Sequence, residues 1–169
     1  MEDLECISIR GRMAYLICLF EKLLLYYNCK KEEWKCILEK LWTYTSIQYL
    51  DEWMYVLAEY MPNSILEDTI DGAEYITESE FKHLYKLYNE SNQEICSFLN
   101  IIYECGTCEL YSRLCDCSPS TLEKVGQAID ILKMHNIDLI DTIPFKIYSY
   151  SERNGWGSCF EGKYLSKFI

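Results

Sequence analysis

Apolar residues between Ile9 and Tyr27 recur at helical spacing and crowd nearly the whole circumference, the pattern of a helix buried on most of its surface. This segment is expected to be the central helix. A second helix is predicted over Lys31 to Tyr44, with Trp34, Ile37, Leu38, Leu41 and Trp42 on one side and Lys35, Glu39 and Lys40 on the other. A third is predicted over Ile47 to Tyr60, ended by Pro62 and Asn63. Its apolar stripe reads Ile47, Leu50, Met54, Leu57 and Met61, which leaves Gln48, Glu52, Tyr55 and Glu59 on another face.

Residues 63–76 hold no sustained period and carry the turn signal Asp71-Gly72, so they read as an ordered loop with at most one short helical turn. Thr77 followed by Glu80 has capping-box spacing and opens a helix to about Tyr88. Ser91 with Glu94 repeats the spacing and opens a helix towards Cys105, where Gly106 either ends or weakens it. Ser118-Pro119 marks another start, since proline fits a first turn whose N–H has no partner, and Leu122, Val125, Ile129 and Leu132 carry that pattern towards Asn136. After Pro144 the helical period is lost. Phe145 to Tyr150 alternates partly like a strand before Asn154-Gly155-Trp156-Gly157, so the tail is expected to be irregular or to contain a short hairpin. The expectation is an all-α, single-domain bundle of about six helices over residues 1–169, long enough to bury roughly two-thirds of its unfolded surface.

Charge changes the picture most. Sixteen Lys and Arg against 27 Asp and Glu give a net charge of −11, which repels phosphate backbones and anionic headgroups, so neither nucleic acid nor a membrane surface is an expected partner. The acids are also concentrated. From residue 41 to 81 there is no Lys or Arg, while Asp51, Glu52, Glu59, Glu67, Asp68, Asp71, Glu74, Glu78 and Glu80 all fall there. Ordinary surfaces intersperse the two signs. A carboxylate row with Tyr55 in its middle suits a basic protein ligand, and Glu52, Tyr55, Glu59, Glu67, Asp68, Asp71 and Glu74 are the expected partner-binding residues.

Catalytic chemistry finds little to build on. The Cys105-x-x-Cys108 pair with Cys115-x-Cys117 has one half of a four-thiolate zinc pattern and the wrong spacing in the other half; thiols on a helix and the turn after it is the simpler account. Only His83 and His135 could serve a nucleophile, and both read as helix-surface or helix-end residues. No GxSxG, HExxH, phosphate-loop or dinucleotide fingerprint occurs, and Gly155-Trp156-Gly157 lacks a phosphate loop's strand-then-helix setting. No catalytic residue, metal or cofactor is expected. The apolar run Met13 to Phe20 is short, lacks a small-residue cleavage site and passes directly into Glu21 and Lys22, so export is not expected. A cytoplasmic setting with ten reduced thiols, among them Cys18 and Cys36 as small hydrophobes, follows from that.

At Arg10-Gly11-Arg12-Met13-Ala14-Tyr15, Lys40-Leu41-Trp42-x-Tyr44-Thr45, Tyr49-Leu50-Asp51-Glu52-Trp53 and Ser151-Glu152-Arg153-Asn154-Gly155-Trp156-Gly157, the chain resembles small bacterial immunity proteins. These are typically encoded beside polymorphic or contact-dependent toxins. The resemblance implies a cytoplasmic, non-enzymatic protein that binds one cognate toxin domain, commonly occluding a nuclease or other active site. It carries over no functional residues, because such surfaces are specific to each pair. A helical adaptor for another basic protein, and a metal-dependent enzyme built on the cysteine cluster, are the competing expectations.

Overall fold

The computed structural model describes residues 2–169, and the chain folds as an all-α bundle. Its helices are α1 (Glu2–Glu5), α2 (Ile9–Tyr26), α3 (Lys31–Ser46), α4 (Leu50–Ala58), α5 (Pro62–Glu67), α6 (Glu78–Glu90), α7 (Gln93–Thr107) and α8 (Pro119–Met134). Two of them, α1 and the short α5, exceed the number anticipated. None is long and apolar enough to cross a membrane among the described residues.

Helix α2 is the axis, as its all-round apolar pattern predicted. Every residue from Ile9 to Glu21 is buried, as are Leu23 and Leu24, and α3, α7 and α8 pack around it. Helix α4 spans α3 and α7, while α5 and α6 form a pair beside them. The capping box at Thr77 is present in full, with Glu80 N–H donating to Thr77 Oγ1 and Thr77 N–H donating back to the Glu80 carboxylate. At the next helix the cap is Asn92, whose side chain accepts from Glu94 N–H; Ser91 instead closes α6 by donating to Leu87 O at 2.6 Å.

Gly106 neither ends nor weakens α7. It lies inside the helix where a Cβ would come within 2.6 Å of the Trp53 ring, so its bare backbone admits that ring to the core.

The tail forms 3-10 turns at Ile143–Phe145 and Gly162–Leu165, with an irregular turn at Glu152–Gly155 between them, and returns to α2 and α3. The strand-like alternation yields one antiparallel bridge, Ile7 with Ser149, in place of a hairpin. Gly157, at φ +82°, passes over the α2 cap where a Cβ would meet Ser8 Oγ at 2.3 Å. All ten cysteines are free thiols.

Candidate functional site

Helix α4 starts three residues later than its periodicity predicts, for a reason that is not local. The Arg10 guanidinium, only 4% exposed, donates to Tyr44 O and to Ile47 O, and Phe160 N–H donates to Thr45 O. These are carbonyls that a helix continuing from α3 would need for its own bonds. The chain therefore breaks at Ile47–Tyr49, which are extended or exposed, and restarts at Leu50.

The restart also turns the helix relative to expectation. Trp53 and Leu57 are buried, with Leu50 and Met54 half-buried; Trp53 donates from Nε1 to Lys40 O at 3.0 Å and meets Tyr44 edge-on at 4.7 Å. Glu52 and Tyr55 face outward, as predicted, and Gln48 lies before the helix.

Glu59 has a different role from the other acids. Its Oε1 accepts from Glu74 N–H at 2.8 Å, and its Oε2 accepts from Tyr75 and Ile76 N–H at 2.7 and 2.9 Å. Burial opposes its charge, but the three donated bonds outweigh burial and hold its carboxyl below the ordinary value. The carboxylate thus staples the 68–76 loop to the end of α4. Because the folded pKa lies below the unfolded one, this stabilisation is present above the ordinary glutamate value of 4.5 and disappears as pH falls through the lower folded value. Hydrogen exchange of the Glu74, Tyr75 and Ile76 amides should accelerate, relative to the α2 amides, as pH falls below about 4.5. Unchanged relative protection down to global acid unfolding would contradict the stapling role.

Glu78 pairs with Lys82 at 2.5 Å, and Glu80 is taken up by the capping box. Asp51, Glu52, Glu67, Asp68, Asp71 and Glu74 are exposed and form no ion pair among the described residues. Asp68, Asp71 and Glu59 line a cleft of about 330 Å³ between α4 and the loop.

Three exposed tyrosines border this acidic surface: Tyr49 at 57%, Tyr55 at 53% and Tyr111 at 77%. Tyr111 follows α7, and its phenol is pushed above the ordinary value, chiefly by the neighbouring Tyr55 hydroxyl. Only Tyr55 was anticipated. Tyr111 sits in a cysteine-rich turn with no period to reveal its face, and periodicity places Tyr49 on a helix that begins only at Leu50.

The remaining candidates are dispersed. Cys105 donates to Thr121 O and Cys108 to Cys105 O, while Cys115 lies exposed beside Arg113 O. Burial raises both of the first two, Cys108 to about 11, so at neutral pH they are protonated thiols. No group of three or more His, Cys, Asp or Glu side chains is arranged to hold a metal among the described residues. His83 is exposed and contacts Glu33 O at 2.8 Å. His135 closes α8 and meets Glu94 Oε2 at 2.6 Å, the same oxygen that accepts from Tyr27 OH at 2.5 Å. That cluster ties together the ends of α2, α7 and α8. No protein-family model, curated protein or solved structure matches the chain.

Proposed function

We propose that this protein is a non-enzymatic immunity protein that acts in the cytoplasm by binding a cognate basic toxin domain through the acidic face of α4, α5 and the 68–76 loop. The observation that carries the reading is the set of exposed, unpaired carboxylates Asp51, Glu52, Glu67, Asp68, Asp71 and Glu74 in a stretch without one base, beside exposed Tyr55. Such a field raises the encounter rate with a cationic protein, while an exposed aromatic side chain supplies buried area at low entropic cost. The resemblance to immunity proteins implies one cognate protein partner, and the acidic face suits a basic one.

The test uses the product of the reading frame immediately upstream, co-expressed for growth rescue and purified for binding at two salt concentrations. Glu52→Lys with Glu67→Lys should slow association about tenfold and flatten its salt dependence. Glu59 is left alone because it holds the loop. Tyr55→Ala should act on dissociation, costing about 2 kcal/mol. If the charge-reversed protein binds at an undiminished rate, the acidic face is solvated surface; if wild type neither binds nor protects, the immunity reading fails.

A further inference from the structure

A groove of about 890 Å³ opens between the start of α4, the turn after α7 and the C-terminal tail. Exposed Tyr49 and Asp51 line one wall, Tyr111 stands on a second, and Arg153 with half-buried Trp156 forms the third. Tyrosine, tryptophan and arginine are the residues most enriched where proteins bind one another tightly. Here they surround an open groove in place of packing a core.

The charges of this groove are of opposite sign and are not spent on each other. Asp51 and Arg153 line the same space, yet no ion pair joins them and neither pairs elsewhere among the described residues. Asp51 and Arg153, both exposed, therefore leave one negative and one positive group open to a guest in the same groove.

The shape is held in advance. Arg10 forms the floor with its guanidinium committed to Tyr44 O and Ile47 O, and its own N–H donates to Trp156 O at 3.1 Å. Gly157 N–H donates to Glu152 O at 3.1 Å and Ser158 N–H to the Glu152 carboxylate at 3.2 Å, closing the turn that carries Arg153. Within that turn Arg153 and Asn154 both adopt left-handed backbone, at φ 48° and 55°, a conformation disfavoured for residues with side chains. The surrounding hydrogen bonds keep it there, with Arg153 at the groove's rim. A preformed wall needs little ordering when a guest arrives.

We infer that this groove seats one extended segment of the partner protein, which presents a basic side chain to Asp51 and an acidic one to Arg153 while its body lies between Tyr49, Tyr111 and Trp156. The inference rests on the partner-binding reading above and adds a second contact to it, one that recognises a dipolar segment where the acidic face supplies general attraction to a base. Asp51 belongs to both, being the point where the acidic face meets the groove.

The experiment measures binding of the purified upstream product to wild type, Asp51→Lys, Arg153→Glu, the double reversal and Tyr111→Ala, each first shown to melt as wild type does; Arg153→Gln replaces Arg153→Glu if the turn will not tolerate glutamate. Each single variant is expected to weaken binding at least tenfold, mainly through faster dissociation. The double reversal should stay at least as weak as the poorer single variant, because the partner's charges have not been exchanged. Recovery of wild-type affinity in the double variant would mean that Asp51 and Arg153 serve only each other, and the groove proposal falls. It falls equally if wild type binds and all variants bind within twofold of it, a result that leaves the acidic-face reading standing. Absence of binding by wild type overturns both.

Discussion

Arg12→Ala should cost the fold on the order of 5 kcal/mol, comparable to the entire stability of many domains of this size. Arg12 is completely buried near the start of α2 and has no carboxylate partner among the described residues. Its guanidinium is satisfied by oxygens from two stretches of chain, 4–5 and 117–121. Nε donates to Leu4 O at 3.0 Å and Nη2 to Glu5 O at 3.2 Å, while Nη1 reaches Cys117 O at 2.7 Å, Thr121 Oγ1 at 2.6 Å and Ser118 O at 3.3 Å. The Tyr150 ring covers it at 5.1 Å. Burial pushes the guanidinium below its ordinary pKa, though arginine remains charged at any pH where the protein folds.

Truncation would strip these carbonyls of their donor and leave a cavity between α1, α2 and the entry to α8. A charge-assisted hydrogen bond contributes about 1.5 to 3 kcal/mol, and buried acceptors left unpaired add a penalty. Ser118, held at φ 53° in the left-handed region, would lose one of the bonds that hold it, keeping those to Cys115 O and the Glu109 carboxylate. Arg12→Lys keeps the charge but replaces a planar fork with one ammonium, and should recover less than half of the loss. Urea denaturation of the three proteins decides the matter. A loss below about 1 kcal/mol for Arg12→Ala would show that the network is dispensable.

The same residue marks the limit of what the chain reveals when read in order. Helix α2 was legible because burial on all sides leaves a dense apolar pattern, and the Thr77 capping box because both its partners lie three residues apart. Arg10 and Arg12, read from spacing, are two bases preceding an apolar run; apart from Leu4 and Glu5, 8 and 7 residues before Arg12, their side-chain partners lie 34 to 109 residues away, and no local pattern encodes them. The boundary of α4 was misplaced for that reason. The acidic run is visible as charge, yet nothing in it separates Glu59 from the other acids, because the amides it accepts from lie 15 to 17 residues onward. Ser91 and Asn92 are both competent caps, and the sequence offered no rule for choosing between them. The groove is assembled from α4, the turn after α7 and the tail, elements distant along the chain, so only its separate residues could be read.

Glu21→Ala should release the last residues of the tail at a cost on the order of 4 kcal/mol. Glu21 is 1% exposed, and it is the residue at which the apolar run of α2 first gives way to charge. Its Oε1 accepts from Trp42 Nε1 at 3.1 Å and from Ser166 Oγ at 2.5 Å, and its Oε2 accepts from Lys167 N–H at 2.6 Å. One buried carboxylate therefore joins α2, α3 and the C-terminal segment, with three donors taking the place of a cationic partner. Alanine would leave the Trp42 indole N–H unpaired in a fully buried position and free the Lys167 amide. Glu21→Gln preserves the volume but turns one acceptor into a donor, facing either the indole or the amide, and should fall between wild type and alanine. Proteolysis within residues 159–169 and loss of amide protection at Lys167 are the direct readouts. The consequence reaches the groove, because Phe160 N–H donates to Thr45 O and Gly162 N–H to Thr45 Oγ1 just beyond the wall that carries Arg153 and Trp156. Loosening the tail should weaken partner binding without touching any acidic side chain on α4. If the tail stays protected and stability falls by less than about 1 kcal/mol, the bonds to Thr45 hold the tail without help from Glu21.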